Sequence, residues 1–332
     1  MNLNEVFRHN PSRTGRVDIK LNGDWVHAPG FWPFMADDDQ PTRFVGVGNK
    51  NGIPTDMFSA VKREYGNQLK YIYICMDAPY MLANYGNIHS AFDGIFDIGF
   101  MSDSKKTLQC NHSMMARSMP YEGFFWERSN VAASYDFSML TWAIDGDKSK
   151  RWDLGQKVCD VLCHNGFRGL VCNQRGGIDE LKTDKLNPHV KIGSLSFIDA
   201  RFNAVDFASL MDMSRVSIFP NVLDAFPKFI IESLLGDRHV IVNENIFQGV
   251  DVLRSTPCIY LNDFETDSGL YKIASIIADR HMKLSPRKVW LRRYNFTHLK
   301  KLWAAEFNRL FGTEFNSIYY MNHKKRIAEW GE

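Results

Sequence analysis

Nowhere do the 332 residues hold an apolar run approaching the about 18 that a membrane-spanning helix needs. The opening stretch, MNLNEVFRHN, has no apolar segment after a basic start, so no secretory signal is expected. Paired Cys-x-x-Cys motifs are also missing. Six scattered cysteines without an export signal fit reduced thiols, and the expected localisation is cytoplasmic. Excess charge of either sign is absent. Forty basic and 38 acidic side chains leave a net +2, so no partner can be read from net charge. There is no internal repeat and no low-complexity segment. A complete dinucleotide fingerprint is lacking too. GVGNKNG (46–52) is a near miss to G-x-G-x-x-G, and no acid stands at the expected distance on a following strand, which disfavours an NAD-dependent oxidoreductase.

What is present is enough apolar material for more than one core. At 332 residues with 45% hydrophobic side chains, two domains are expected. In the C-terminal half, short apolar runs alternate with helix-length segments. The runs are FSMLTWAI (137–144), GLVCN (169–173), HVKIG (189–193), RVSIFP (215–220), HVIVN (239–243) and CIYLN (258–262). Helices are expected at about 152–164, 203–213, 228–236 and 267–280. Such alternation describes a parallel sheet covered by helices on both faces, a doubly wound Rossmann-like domain.

The N-terminal half follows the same grammar less regularly. TRFVGVGNKNG (42–52) is a strand entering a glycine-rich loop, and PTDMFSAVKREYG is a helix with Pro54 and Asp56 in its first turn and Gly66 past its end. KYIYICMD (70–77) and GIFDIGFMS (94–102) are further strands. The first forty residues fall outside the alternation and read as an appended hairpin or arm. The expected division is 1–125 as the first domain, 126–137 as a crossing, 138–295 as the second domain and 296–332 as a helical tail.

Cys159, Cys163, His164 and Cys172 offer metal-ligand chemistry, with the first two thiols one helical turn apart. The same segment reads as the end of a helix, a turn and a buried strand, in which cysteine is a small core side chain. That second reading is preferred, and no metal is expected. Aromatics crowd 25–34 and 121–126. They suit stacking on a sugar or base, or simply a core. His27, His89 and His112 fall in unplaced segments and none is assigned as a base.

The stretch SIFPNVLDAFPKFIIESLLGDRHVIVNE (217–244) places Asp224 at the mouth of a helix and Glu232 eight residues later. Ligands of open α/β sheets gather beyond the carboxyl ends of strands, where such a turn lies. The first turn of the helix offers free N–H groups to a phosphate, and Lys228 adds charge. Glu232 can accept hydrogen bonds from ribose hydroxyls and Asp224 from those of a second sugar. Read without function, Asp224 is an N-cap and Glu232 an exposed helix position.

Residues 189–262 resemble the C-terminal domain of GT-B-fold glycosyltransferases, in particular the retaining group with an acid, seven residues and then Glu. HVKIG, FASLMDMSRVSIFPN, DAFPKFIIESLLGDRHVIVNE, QGVD (248–251) and CIYLNDFETDSGLYKIASII match its elements in order and spacing. The likeness weakens outward to about 138–315.

The resemblance implies an α/β protein of two Rossmann-like domains in the GT-B arrangement, with a cleft between them. It implies a glycosyltransferase that uses a nucleotide-sugar donor, UDP-linked, with retention of configuration and no cofactor or metal. Glu232 would bind the ribose, the backbone of Phe226, Pro227 and Lys228 would face the diphosphate, and Asp224 would face the transferred sugar. Lys150, with Arg151 and Lys148 beside it, would neutralise the leaving diphosphate. Gly48 lies in the segment that resembles the glycine-rich loop of the acceptor-side domain. The acceptor would be a hydroxyl of a glycan, a protein or a modified DNA base. Arg13, Arg16 and Lys20 bear on the last of these. Two departures stand out: the first acid is Asp rather than Glu, and DGD replaces a Gly-Arg pair before the lysine. They keep open a nucleotide-binding scaffold without turnover.

Overall fold

Asn22 and Gly23 both have positive φ, 50° and 90°. A type I′ hairpin turn demands that backbone, and Asn-Gly adopts it readily. The turn closes a three-stranded antiparallel sheet of β1 (Phe7–His9), β2 (Val17–Leu21) and β3 (Asp24–His27). A computed structural model describes residues 2–9, 17–37, 40–48, 54–75, 91–97, 112–114, 133–141, 151–173, 194–199, 209–210, 212–222, 228–246, 253–279 and 282–320. By contacts the chain divides into two units, residues 1–121 with 294–332, and residues 122–293.

In the first unit, β4 (Phe31–Ala36) and β5 (Gln40–Val47) form an antiparallel hairpin. The helix α1 (Thr55–Tyr65) follows, and β6 (Lys70–Cys75), β7 (Gly94–Asp97) and β8 (His112–Met114) continue the sheet in parallel from β5. The first forty residues are therefore more than an arm. β4 is an integral strand of the main sheet, and a hairpin rather than a helix connects it, which is why it breaks the strand–helix alternation. On one face, Phe58 and Val61 of α1 pack with Val45, Val47 and Tyr71, together with Phe7, Val17 and Ile19 of the small sheet.

The second unit is a six-stranded parallel sheet. Its strands are β9 (Tyr135–Thr141), β10 (Gly169–Asn173), β11 (Leu195–Asp199), β12 (Ser214–Phe219), β13 (His239–Asn243) and β14 (Ile259–Asn262). Their order is β11-β10-β9-β12-β13-β14, the 3-2-1-4-5-6 arrangement of the doubly wound fold. The helices α2 (Trp152–His164), α3 (Lys228–Leu235) and α4 (Asp267–Ala278) follow β9, β12 and β14. Side chains alternate across each strand. Val216 and Ile218 join Leu154 and Val158 of α2 and Leu270 and Ile273 of α4 in one core, while Phe219 turns the other way and stacks on Phe229 of α3 at 5.7 Å. Helices thus cover both faces. Expected strand 189–193 lies outside the described residues, and the strand seen after β10 is β11.

The chain leaves this unit through α5 (Pro286–Tyr294). The helix α6 (Phe296–Phe311) and the strand β15 (Ile318–Tyr320) belong to the first unit. β15 pairs antiparallel with β4, and the side chains of Trp303, Ala304 and Phe307 join Phe34, Phe44, Ile72 and Phe96 on the sheet face opposite α1. Of the segment 296–332, read as a helical tail, α6 supplies the second covering layer of the N-terminal sheet and β15 adds a strand to it, while 321–332 lie outside the described residues.

Cys159 and Cys163 lie on the buried side of α2 among Leu154, Val158 and Leu162, and Cys172 is buried in β10, while His164 is exposed. Burial pushes the Cys163 and Cys172 thiols up to about 12, the opposite of what a thiolate ligand needs. These side chains are core, and among the described residues no three His, Cys, Asp or Glu side chains gather to hold a metal.

Candidate functional site

Three strands of the second unit end in asparagine: Asn173, Asn243 and Asn262. The register places Asp199, Asn173 and Thr141 side by side at the carboxyl edge, and Asn243 opposite Asn262. Asn243 is fully buried. Its Nδ2 donates to the Pro220 carbonyl at 3.0 Å, and its Oδ1 accepts from the Asn245 N–H at 3.0 Å. Asn262 Nδ2 donates to the carbonyls of Asp263 and Gly269 at 2.7 and 2.8 Å. Gly269 permits this closeness, since a Cβ there would stand 2.2 Å from the Asp263 carbonyl oxygen. Both amides satisfy backbone groups that leave the sheet, which fixes the turns after β12 and β14. Sequence reasoning missed them, although the repeated terminal Asn of GLVCN, HVIVN and CIYLN was there to be read.

Among the described residues three helices open at this edge, and their first turns differ. At α2, Asp153 accepts from the backbone N–H groups of the opening turn and from Arg151, whose hydrogen bonds hold its carboxyl below the usual range. At α4, Thr266 caps the helix through the Gly269 N–H, Asp267 sits in the first turn, and Asp263 accepts from the Thr266 hydroxyl and the Glu265 N–H. Those hydrogen bonds lower the Asp263 pKa. Both N-termini already hold carboxylates. The first turn of α3 contains no acid and begins with Lys228. The residues that precede it, 223–227, lie outside the described residues.

Glu232 lies on α3. From Phe229 to Gly236 every residue is buried except Glu232, which is half-buried. Over these residues the helix keeps a carboxylate at the one position that is partly exposed, so Glu232 is not an ordinary surface residue. Arg151 is the N-cap of α2 with left-handed backbone, φ 44° and ψ 51°. Its Nε and Nη2 donate to the two oxygens of Asp153, each at 3.0 Å, and its Nη1 donates to Glu265 at 3.1 Å. Asp224, Phe226, Pro227, Lys148 and Lys150 lie outside the described residues.

In the first unit, Gly48 follows β5 with φ 149°, and a Cβ there would meet the Ile74 carbonyl oxygen at 2.7 Å. Its N–H donates to Gly30 at 2.9 Å. The close approach of neighbouring strands accounts for this glycine. Of the aromatics at 25–34, Phe31 and Phe34 are buried core, and Trp25 lies under the Arg8 guanidinium at 4.5 Å. Residues 121–126 lie outside the described residues. His27 is in β3, 3.7 Å from Asp18, and His112 begins β8. His89 lies outside the described residues.

Two Rossmann-like units, one with the 3-2-1-4-5-6 order, define the GT-B fold of glycosyltransferases. The chain is similar in structure to HepE from Anabaena, solved with UDP, at a TM-score of 0.60 and 11% identity over 77% of each chain. It is similar to a glycosyltransferase from Rickettsia africae at 0.58 and 12% identity, over 81% of this chain and 77% of that one. TarM from S. aureus, solved with fondaparinux, α-GlcNAc-glycerol and UDP, matches at 0.55 and 9% identity over 91% of this chain and 75% of that one. No protein-family model matches the chain, and neither does any curated protein sequence.

Proposed function

We propose that this protein is a glycosyltransferase that moves a sugar from a UDP-linked donor to a hydroxyl acceptor, with retention of configuration and without a metal. The observation that carries the reading is the half-buried Glu232 on an otherwise enclosed helix whose first turn holds Lys228 and no acid. Ribose hydroxyls at Glu232 and a diphosphate at the N-terminus of α3 fit that geometry and charge. Solved structures of the same fold hold UDP, which supports the choice of base.

In this reading Asp224 faces the transferred sugar, and the backbone of Phe226, Pro227 and Lys228 faces the diphosphate. The bond from the anomeric carbon to the β-phosphate oxygen breaks as the acceptor oxygen bonds to that carbon; UDP leaves with the electron pair, and the acceptor's hydroxyl proton passes to its β-phosphate oxygen. Lys150 and Lys228 neutralise the charge that develops on it, with Arg151 beside them. Gly48, in the first unit, belongs to the acceptor side.

A thermal-shift series with UDP, UDP-glucose, UDP-GlcNAc, GDP, ADP and NAD tests the donor. Selective binding to the folded state raises the midpoint, so UDP conjugates at saturation should add several degrees. A response to NAD alone would sink the reading. So would an unchanged UDP shift in Glu232→Ala.

A further inference from the structure

Between Arg280 and Arg293 the chain holds six basic side chains and no acid, while the rest of it carries 34 basic against 38 acidic residues. The near-neutral total therefore conceals one strongly positive stretch in an otherwise acidic chain. All six but Arg280 lie among the described residues. Lys283 precedes α5, and Arg287, Lys288, Arg292 and Arg293 belong to it.

Packing decides which way this helix faces. Trp290 and Tyr294, four residues apart, are buried and anchor one side of α5. Lys288 and Arg292, also four apart, are exposed along another, and Arg293 is exposed beside them. Arg293 Nη1 donates to Ser255 Oγ at 3.0 Å, which brings the exposed Arg254 to the end of the helix. At its beginning Leu284 is 50% exposed, an aliphatic side chain set next to Lys283.

The helix dipole favours acids in a first turn, yet α5 opens with Arg287 and Lys288 and has no acid there. Arg287 has a local role, since its Nη1 donates to the carbonyl of Leu235, the last residue of α3, at 2.7 Å. Local helix stability does not select a lysine at the exposed position 288. The whole surface stands at the amino edge of the parallel sheet. The Leu284 carbonyl lies 3.2 Å from Nε2 of His239, the first residue of β13, and Ser255 shortly precedes β14. The candidate donor site is at the carboxyl edge, the other end of the same strands.

We propose that the outer side of α5, with Arg254, Lys283 and Leu284, is a docking surface for an anionic lipid bilayer. The cations are drawn to the charged headgroups, and Leu284 enters the boundary between headgroups and acyl chains. The leucine favours lipid over nucleic acid, because a phosphodiester backbone takes cations and polar groups and offers an aliphatic side chain little.

The test is co-sedimentation of the full chain with vesicles of phosphatidylcholine alone, or of phosphatidylcholine with one-third phosphatidylglycerol, at physiological salt. The chain should bind the mixed vesicles selectively and be released as salt rises. Lys288→Glu combined with Arg292→Glu should weaken that binding by about 30-fold or more, the scale of two cations near an anionic surface. Both positions are exposed, so the melting temperature should hold. Leu284→Ala should weaken vesicle binding severalfold and leave binding to duplex DNA as it was. Equal binding to the two kinds of vesicle, or mixed-vesicle binding that the variants retain in full, would overturn the proposal. Duplex DNA bound at the same salt, with vesicles left unbound, would assign the cations to nucleic acid and overturn it too. The charge-reversed variant should keep the natural protein's UDP melting shift, so lipid docking and donor binding succeed or fail separately.

Discussion

The side-chain amide of Asn243, fully buried at the end of β13, donates to the carbonyl of Pro220 at the exit of β12. Pro220 begins the turn that leads to α3, so one amide links the neighbouring strand to the origin of the proposed diphosphate site. Asn243→Ala removes this bond and the one from the Asn245 N–H, and leaves the carbonyl of buried Pro220 without that donor. We expect a loss of about 1–3 kcal/mol in denaturant unfolding, with UDP affinity falling as well. Unchanged stability would show that the turn holds without the amide.

Glu232 offers a sharper functional test. If its carboxylate accepts from the ribose, Glu232→Gln should weaken UDP binding by about 10-fold or more, the scale of a hydrogen bond to a charged group. The preference for UDP over its 2′,3′-dideoxy analogue should shrink in the same variant. A preference that survives intact would place the ribose elsewhere.

Phe307 of α6 sits edge-on to Phe34, Phe44 and Phe96, with ring centroids 4.9, 5.1 and 4.9 Å away. Phe307→Ala should cost about 3–5 kcal/mol through lost contacts and the cavity left behind. The measurement is chemical denaturation followed by tryptophan fluorescence. A cost below 1 kcal/mol would mean that α6 contributes little to holding the first sheet.

His239 gives a pH dependence with a defined direction. Burial lowers its pKa from 6.5. Its Nε2 lies 3.2 Å from the Leu284 carbonyl and its Nδ1 lies 3.3 Å from the Tyr260 hydroxyl. A carbonyl only accepts, so the neutral ring carries its proton on Nε2 and accepts a hydrogen bond from the Tyr260 hydroxyl at Nδ1. Between the folded and unfolded pKa values the unfolded chain binds more protons, so stability is fully present above pH 6.5 and falls as the medium is acidified. Melting temperatures from pH 7.5 to 5 should decline more steeply for the natural protein than for His239→Gln. Parallel declines would assign the acid sensitivity to other groups.

Much of the second unit was readable in one dimension. Strands of a parallel sheet are buried on both faces and stand out as continuous apolar runs, while their connecting helices carry a 3.6-residue stripe. Helix α2 lies at 152–164 as its pattern indicates, and α3 and α4 begin at the expected residues. The first unit was harder to read. β4 and β5 are joined by a hairpin, so they break the alternation, and β8 is a three-residue strand with no room for a period. At the candidate site, the helix that carries Lys228 and Glu232 was readable from its pattern. The half-burial of Glu232 was not, because enclosure by neighbouring elements leaves no mark in a local pattern.

From the sequence alone came the class of the fold, the helix that begins at Lys228, and the amphipathic character of 295–315. Each of these depends on residues a few positions apart, through propensity, capping and periodicity. Tertiary structure decided that α6 closes the face of a sheet begun more than 260 residues earlier, that Asn243 holds the exit of β12, and that Arg151 reaches Glu265. Those pairings follow from which apolar faces and buried polar groups can satisfy one another in three dimensions, and residues far apart in the chain carry no local sign of their partners.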